Sequence, residues 1–127
     1  MAVILVIDDS RLSRTLAAKA LGDAGHTVVE AADGQQGIAA LEEHQPDCIV
    51  TDLLMPVLDG RKFIAQIRAR GIQTPVVVLT ADIQSSTRCL CEGLGISSFV
   101  NKPINAGELR AGVQQALAAA RGTLTCP

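Results

Sequence analysis

Apolar runs and stretches of helical spacing alternate along this chain. Val3–Ile7, Thr27–Ala31, Asp47–Thr51, Pro75–Leu79 and Ser97–Val100 read as strands. The first and fourth are continuously aliphatic, as strands covered on both faces are. Between the first two, Ser10–Ala24 places Leu12, Leu16 and Ala20 on one helical face, and Gly25 stops it. Asp33-Gly34 makes a turn before a helix over Gln35–His44, with Ile38 and Leu41 at helical spacing. Asp59 is a fair N-cap for a helix carrying Phe63, Ile64 and Ile67, ending near Gly71. Gln84–Leu94 is a weaker helix, diluted by Ser85, Ser86, Thr87 and Gly93. The last helix begins near Asn105 and sets Leu109, Val113, Ala116, Leu117 and Ala120 on one side, and the tail after it frays.

Five strand–helix units with aliphatic strands predict an α/β fold: a doubly wound parallel sheet with helices on both faces. Such sheets bind ligands beyond the carboxyl ends of their strands, where the strand order reverses. Those ends carry chemistry. The first strand ends in Asp8-Asp9, the third in Asp52 and the fourth in Thr80, and Asn101-Lys102-Pro103 follow the fifth. Three carboxylates, a hydroxyl and an ammonium therefore meet on one rim from separate parts of the chain. One carboxylate pair about 4 Å apart opposes folding by roughly 4 kcal/mol at an effective dielectric near 20. Lys102 offsets part of this. A hard divalent cation offsets more, and oxygen ligands completed by water suit Mg²⁺, with Mn²⁺ as a substitute.

Composition narrows the field. The chain has 127 residues, is 48% hydrophobic and 19% charged, and contains no Trp or Tyr. That is one globular domain whose core is Val, Ile, Leu and Ala. With a formal net charge of −2, no basic face suits a nucleic-acid backbone. No apolar run is long enough to span a membrane. The N-terminal run leads straight into two aspartates and is a strand, not a secretory signal. Cys48, Cys89, Cys91 and Cys126 lack metal-ligand spacing and read as free thiols in the cytoplasm. His26 and His44 are isolated, and Glu42, Glu43, Arg68 and Arg70 read as solvated helix faces.

Taken in order, these residues resemble the receiver domains of two-component response regulators, of the stand-alone, chemotaxis-type (CheY-like) kind. The resemblance rests on Asp8-Asp9, on Asp52 in Asp-Leu-Leu-Met-Pro-Val-Leu-Asp-Gly, on Thr80-Ala81 and on Lys102-Pro103. Arg14, Asp33-Gly34 and Glu108-Leu109 add to it. It implies a flavodoxin-like sheet of order 2-1-3-4-5, a receiver domain over 1–121, a flexible tail over 122–127 and no output domain. It implies that Asp52 accepts a phosphoryl group from the phosphohistidine of a sensor kinase or phosphotransfer protein. Asp8, Asp9, Asp52 and the Leu54 carbonyl would hold Mg²⁺, Lys102 would pair with the phosphoryl oxygens, and Thr80 and Phe99 would act as switch residues. Leu54 and Asp82 flank the site entrance, where they are expected to alter autodephosphorylation. The readout surface would be the Gln84–Leu94 helix, the fifth strand and the last helix, presented to a downstream protein by a monomer or by a dimer formed on phosphorylation.

Other readings fit less well. A phosphatase would need a general acid for its leaving group, and a flavin carrier a phosphate loop and ring-stacking aromatics. An interaction module without phosphorylation would not need all five rim residues. A single capping residue at the first helix explains one of Asp8 and Asp9 but not both together with Asp52.

Overall fold

The computed structural model describes residues 2–52, 60–80, 96–101 and 105–122. In chain order these form β1 (Val3–Ile7), α1 (Arg11–Asp23), β2 (Thr27–Ala31), α2 (Gly34–His44), β3 (Cys48–Asp52), α3 (Gly60–Ala69), β4 (Val76–Thr80), β5 (Ile96–Asn101) and α4 (Ala106–Gly122). The sheet order is β2-β1-β3-β4-β5, and every pairing is parallel. The expected helix over 84–94, the cap at Asp59 and the tail after Gly122 lie outside the described residues, and Gly122 itself belongs to α4.

The topology follows from the handedness of crossovers. From β1 the chain moves to β2 on one side, and then back across β1 to β3 and on to β4. Right-handed crossovers therefore place α1 on one face and α2 and α3 on the other. Strand pleating sorts the core accordingly. Ile4 and Val6 of β1, Cys48 and Val50 of β3, and Val77 and Leu79 of β4 pack beneath Ala17, Ala20 and Leu21 of α1 and Leu109, Val113 and Ala116 of α4. Leu5 and Ile7, Ile49, and Val76 and Val78 face Leu41 of α2 and Phe63, Ile64 and Ile67 of α3.

Local signals set the helix ends. Ser10 caps α1 by accepting from the Ser13 amide at 3.3 Å. Asp33 does more than turn the chain. It caps α2, accepting from the Gln36 amide at 2.8 Å, while Gln36 Oε1 accepts from the Ala32 amide. Asn105 caps α4 through the Glu108 amide. Gly71, with φ of +82°, ends the turn after α3 in a conformation that side chains disfavour.

Three local expectations need correction. Leu12 and Leu16 do not face the core: they are 71% and 45% exposed, and Ala20 is buried with Ala17 and Leu21 instead of with them. At about 100° per residue, Leu16 and Leu12 lie about 90° and 130° from the centre of that buried stripe. β3 and β4 each start and end one residue later than the apolar pattern suggests, and they end in Asp52 and Thr80 as the rim required. Arg68 is not merely solvated. Its Nη1 donates to the carbonyls of Ile72 and Thr74 at 2.8 and 2.9 Å, tying α3 to the segment before β4. Arg70 does join Glu42 of α2 at 2.8 Å, an exposed pair of small energetic weight.

Gly37 is where α2 comes closest to the sheet. A Cβ there would meet Ile7 Cδ1 at 2.5 Å and both Ile7 Cγ1 and Phe63 Cε1 at 3.2 Å. Overpacking costs about 1–3 kcal/mol, more than the gain of about 1 kcal/mol in helix propensity. Gly37→Ala should therefore lower the urea midpoint. Gly22→Ala, where nothing lies within 4 Å of a new Cβ, should hold or raise it. Midpoints that rise together would contradict this packing.

Cys48 is fully buried as a small hydrophobe. Burial, with the nearby Asp47 charge adding to it, pushes its thiol from an ordinary 9.0 up to about 12. The folded thiol keeps its proton at pH values where the unfolded one ionises. Its contribution to stability is thus complete below about pH 9 and lost progressively as pH rises toward about 12. An alkaline stability titration should fall less steeply in Cys48→Ala than in the wild type, and equal slopes would count against the burial.

Candidate functional site

The acids gather at the carboxyl edge of the sheet, at the point where strand order reverses. Pleat parity explains why. Asp8 continues the face of Ile4 and Val6, and Asp52 continues that of Cys48 and Val50 on the adjacent strand. Ile7 pairs with Thr51 in the ladder, so Asp8 and Asp52 stand side by side one step further on. Ligand atoms of Asp8, Asp9 and Asp52 all lie within 4.8 Å of one another. Asp8 is fully buried and Asp52 is 8% exposed, while Asp9 faces solvent.

The turn that carries Asp8 and Asp9 is held from several sides. The Asp8 amide donates to the Ala31 carbonyl at 3.1 Å, extending the pairing of β1 with β2 by one residue. Asp8 Oδ1 accepts from the Ser10 amide at 2.9 Å, and the Asp8 carbonyl accepts from Arg14 Nη1 at 2.8 Å. Ser10 then starts α1, whose N-terminal end favours nearby negative charge. On the β3 side, Thr51 is buried and its hydroxyl donates to the Asp52 carbonyl at 3.0 Å.

The donor set fits a hard divalent cation. Oxygens on an octahedral Mg²⁺ at 2.0–2.1 Å are about 3 Å apart when adjacent and about 4 Å apart when opposite. Carboxylates within 4.8 Å reach those separations by small side-chain rotations. Two buried carboxylates at that distance repel by about 3.5 kcal/mol at an effective dielectric of about 20, which gives a cation its leverage. Asp8, Asp9 and Asp52 are the residues that could hold it.

Thr80 closes β4 one step beyond Leu79, the partner of Asp52, and Phe99 lies one strand further away on β5, opposite Val78. Leu54, Asp82 and Lys102 lie outside the described residues. His26 sits at the other edge of the sheet, where its Nδ1 accepts from the Ala2 amide at 3.2 Å. A cavity of about 650 Å³ at that edge, lined by His26, Arg110 and Gln114, holds none of the acids. Sequence reasoning gave no role to Glu30, which accepts from Arg14 Nε at 3.3 Å. No periodicity marks a contact between one helix and the exposed side of an edge strand.

A doubly wound parallel sheet with an acidic triad at its switch point defines a class of signalling phosphoacceptors. Residues 4–114 match the response regulator receiver domain, and the chain belongs to that family. Phosphorylation and Mg²⁺ binding are typical of the family, which serves two-component systems and interacts with histidine kinases and downstream effectors. The chain is 36% identical over 106 residues to the transcriptional regulatory protein TcrA of Mycobacterium tuberculosis, covering 84% of this chain and 42% of TcrA. It is 33% identical over 114 residues to the alkaline phosphatase synthesis transcriptional regulatory protein PhoP of Bacillus subtilis, covering 90% of this chain and 48% of PhoP. The chain thus spans less than half the length of these relatives. Among solved structures, the Vibrio cholerae chemotaxis protein CheY4 superposes with a TM-score of 0.88 at 31% identity, over 92% of this chain and 99% of CheY4. Among the described residues, no helix is long and apolar enough to cross a membrane.

Neutralising one acid should relieve the repulsion and remove the cation together. In EDTA, Asp9→Asn should melt at or above the wild-type temperature. In the wild type, Mg²⁺ at about 100 times its Kd should add about 2.7 kcal/mol of stability, and this gain should be largely lost in the variant. A variant that responds to Mg²⁺ as the wild type does would show that Asp9 is not a ligand.

Proposed function

We propose that Asp52 accepts a phosphoryl group from a phosphohistidine on a partner kinase or phosphotransfer protein, and that the resulting acyl phosphate switches a signalling surface. The observation that carries this is the placing of Asp52 at the end of β3 within 4.8 Å of the acids that follow β1. In the step, an Asp52 carboxylate oxygen bonds to phosphorus while the phosphorus–nitrogen bond breaks. The bonding electrons stay with the departing imidazole nitrogen, which takes up a proton. Phosphoryl transfer has a loose transition state, so positioning and charge neutralisation supply most of the rate.

Each residue has one task in this scheme. Asp8, Asp9 and the Leu54 carbonyl join Asp52 in holding Mg²⁺, which when bound neutralises charge on the phosphoryl oxygens. Lys102 pairs with those oxygens, and Thr80 donates a hydrogen bond to one of them. Phe99, in the strand that follows, couples that movement to β5, α4 and the Gln84–Leu94 segment. Leu54 and Asp82 set how water reaches the acyl phosphate and hence its lifetime. The unit that does this is residues 1–121, working in the cytoplasm. Transcriptional output belongs to TcrA and PhoP by their names, and chemotaxis to CheY4.

Acetyl phosphate replaces the kinase in the test. With Mg²⁺, the wild type should gain the mass of one phosphoryl group, once per chain. Asp52→Asn should gain none, and EDTA should abolish labelling of the wild type. A label that persists in Asp52→Asn would move the phosphoacceptor elsewhere.

A further inference from the structure

We infer that Arg14 is a positioning residue for the acidic turn, fixing the peptide between Asp8 and Asp9 so that both carboxylates are set for a divalent cation. This rests on the phosphoacceptor function proposed above. The carbonyl that Arg14 Nη1 holds at 2.8 Å belongs to the peptide unit whose nitrogen is that of Asp9. Fixing that carbonyl fixes the plane from which the Asp9 side chain departs. Asp9 is exposed, so packing does little to orient it.

Arg14 is itself held at both ends. Its backbone amide donates to the Ser10 carbonyl in the first turn of α1. Its Nε donates to Glu30 Oε1 at 3.3 Å, and its side chain is only 18% exposed. Glu30 precedes Ala31, whose carbonyl takes the Asp8 amide. Asp8, Ser10, Arg14, Glu30 and Ala31 thus close a ring of hydrogen bonds and chain connections across β1, α1 and β2. The planar fork of arginine spans the Asp8 carbonyl and the Glu30 carboxylate at once, a reach that a single ammonium does not reproduce. A plain staple between α1 and β2 would need only the contact to Glu30. The bond to the Asp8 carbonyl aims the ring at the acids.

Removing an outer partner of metal ligands typically weakens metal binding about 10- to 100-fold. Arg14→Ala should therefore weaken Mg²⁺ binding by calorimetry about 10-fold or more, well below its melting temperature. In the metal-free protein, it should also speed amide exchange at Asp9 and Ser10 relative to α3 and β4. Arg14→Lys, which can still reach the Asp8 carbonyl, should recover much of the affinity. Glu30→Gln should lose less than Arg14→Ala, because its amide oxygen still accepts. If Arg14→Ala does not fold, Arg14→Met, which keeps the apolar stem but has no donor for the Asp8 carbonyl, takes its place, and a Mg²⁺ affinity equal to the wild type's would overturn the inference. So would Mg²⁺ affinity and exchange at Asp9 and Ser10 unchanged in a folded Arg14→Ala. A wild type that takes up neither Mg²⁺ nor phosphate from acetyl phosphate would instead bring down the phosphoacceptor function, and this role with it.

Discussion

Like charges held close by a rigid sheet are the constraint on which the rest of this structure depends. Neighbouring strands run about 4.7–4.9 Å apart, and the carboxylates at the ends of β1 and β3 lie within 4.8 Å of one another. Adjacent strands that end in register therefore hold their terminal acids close together. Asp8 and Asp52 cannot swing apart into water, because both are buried over a close-packed core. A cation, or a cationic side chain, lowers the energy of that repulsion. A chemical step that changes charge at Asp52 therefore changes the balance of forces on the strands that carry it.

The core is built to hold that arrangement still. Aliphatic residues on both faces of β1, β3 and β4 are fully buried, and the two helix layers lock the strands from opposite sides. Gly37 lets α2 come close enough to seat Ile7 and Phe63 together directly beneath the rim. Arg14 performs the matching task from above, joining the acid-bearing turn to the edge strand β2.

Much of this was legible in the residues. Aliphatic runs marked the strands to within a residue, and charged residues at their ends marked the rim, because apolar core and polar edge differ in composition. Pleat parity even places Asp8 with Ile4 and Val6, and Asp52 with Cys48 and Val50. What escaped depends on how elements sit against one another. Leu12 and Leu16 have the spacing of a core face, yet the rotation of α1 over the sheet selects Ala17, Ala20 and Leu21. Arg68 and Arg14 bind backbone carbonyls just beyond the ends of their helices, and carbonyls carry no residue signature. Glu30 looks like an ordinary edge-strand charge until the fold brings α1 beside it.

The most direct test locates the cation. Mn²⁺ replaces Mg²⁺ at oxygen sites and broadens nearby amide signals, an effect that falls steeply with distance. With a small amount of Mn²⁺ added, broadening should centre on residues 8–10 and 51–52 and fade along β1 and β3 toward the opposite edge of the sheet. Excess Mg²⁺ should reverse it. Broadening centred on another acidic group, such as Glu42 and Glu43, or absent from residues 8–10, would contradict the account.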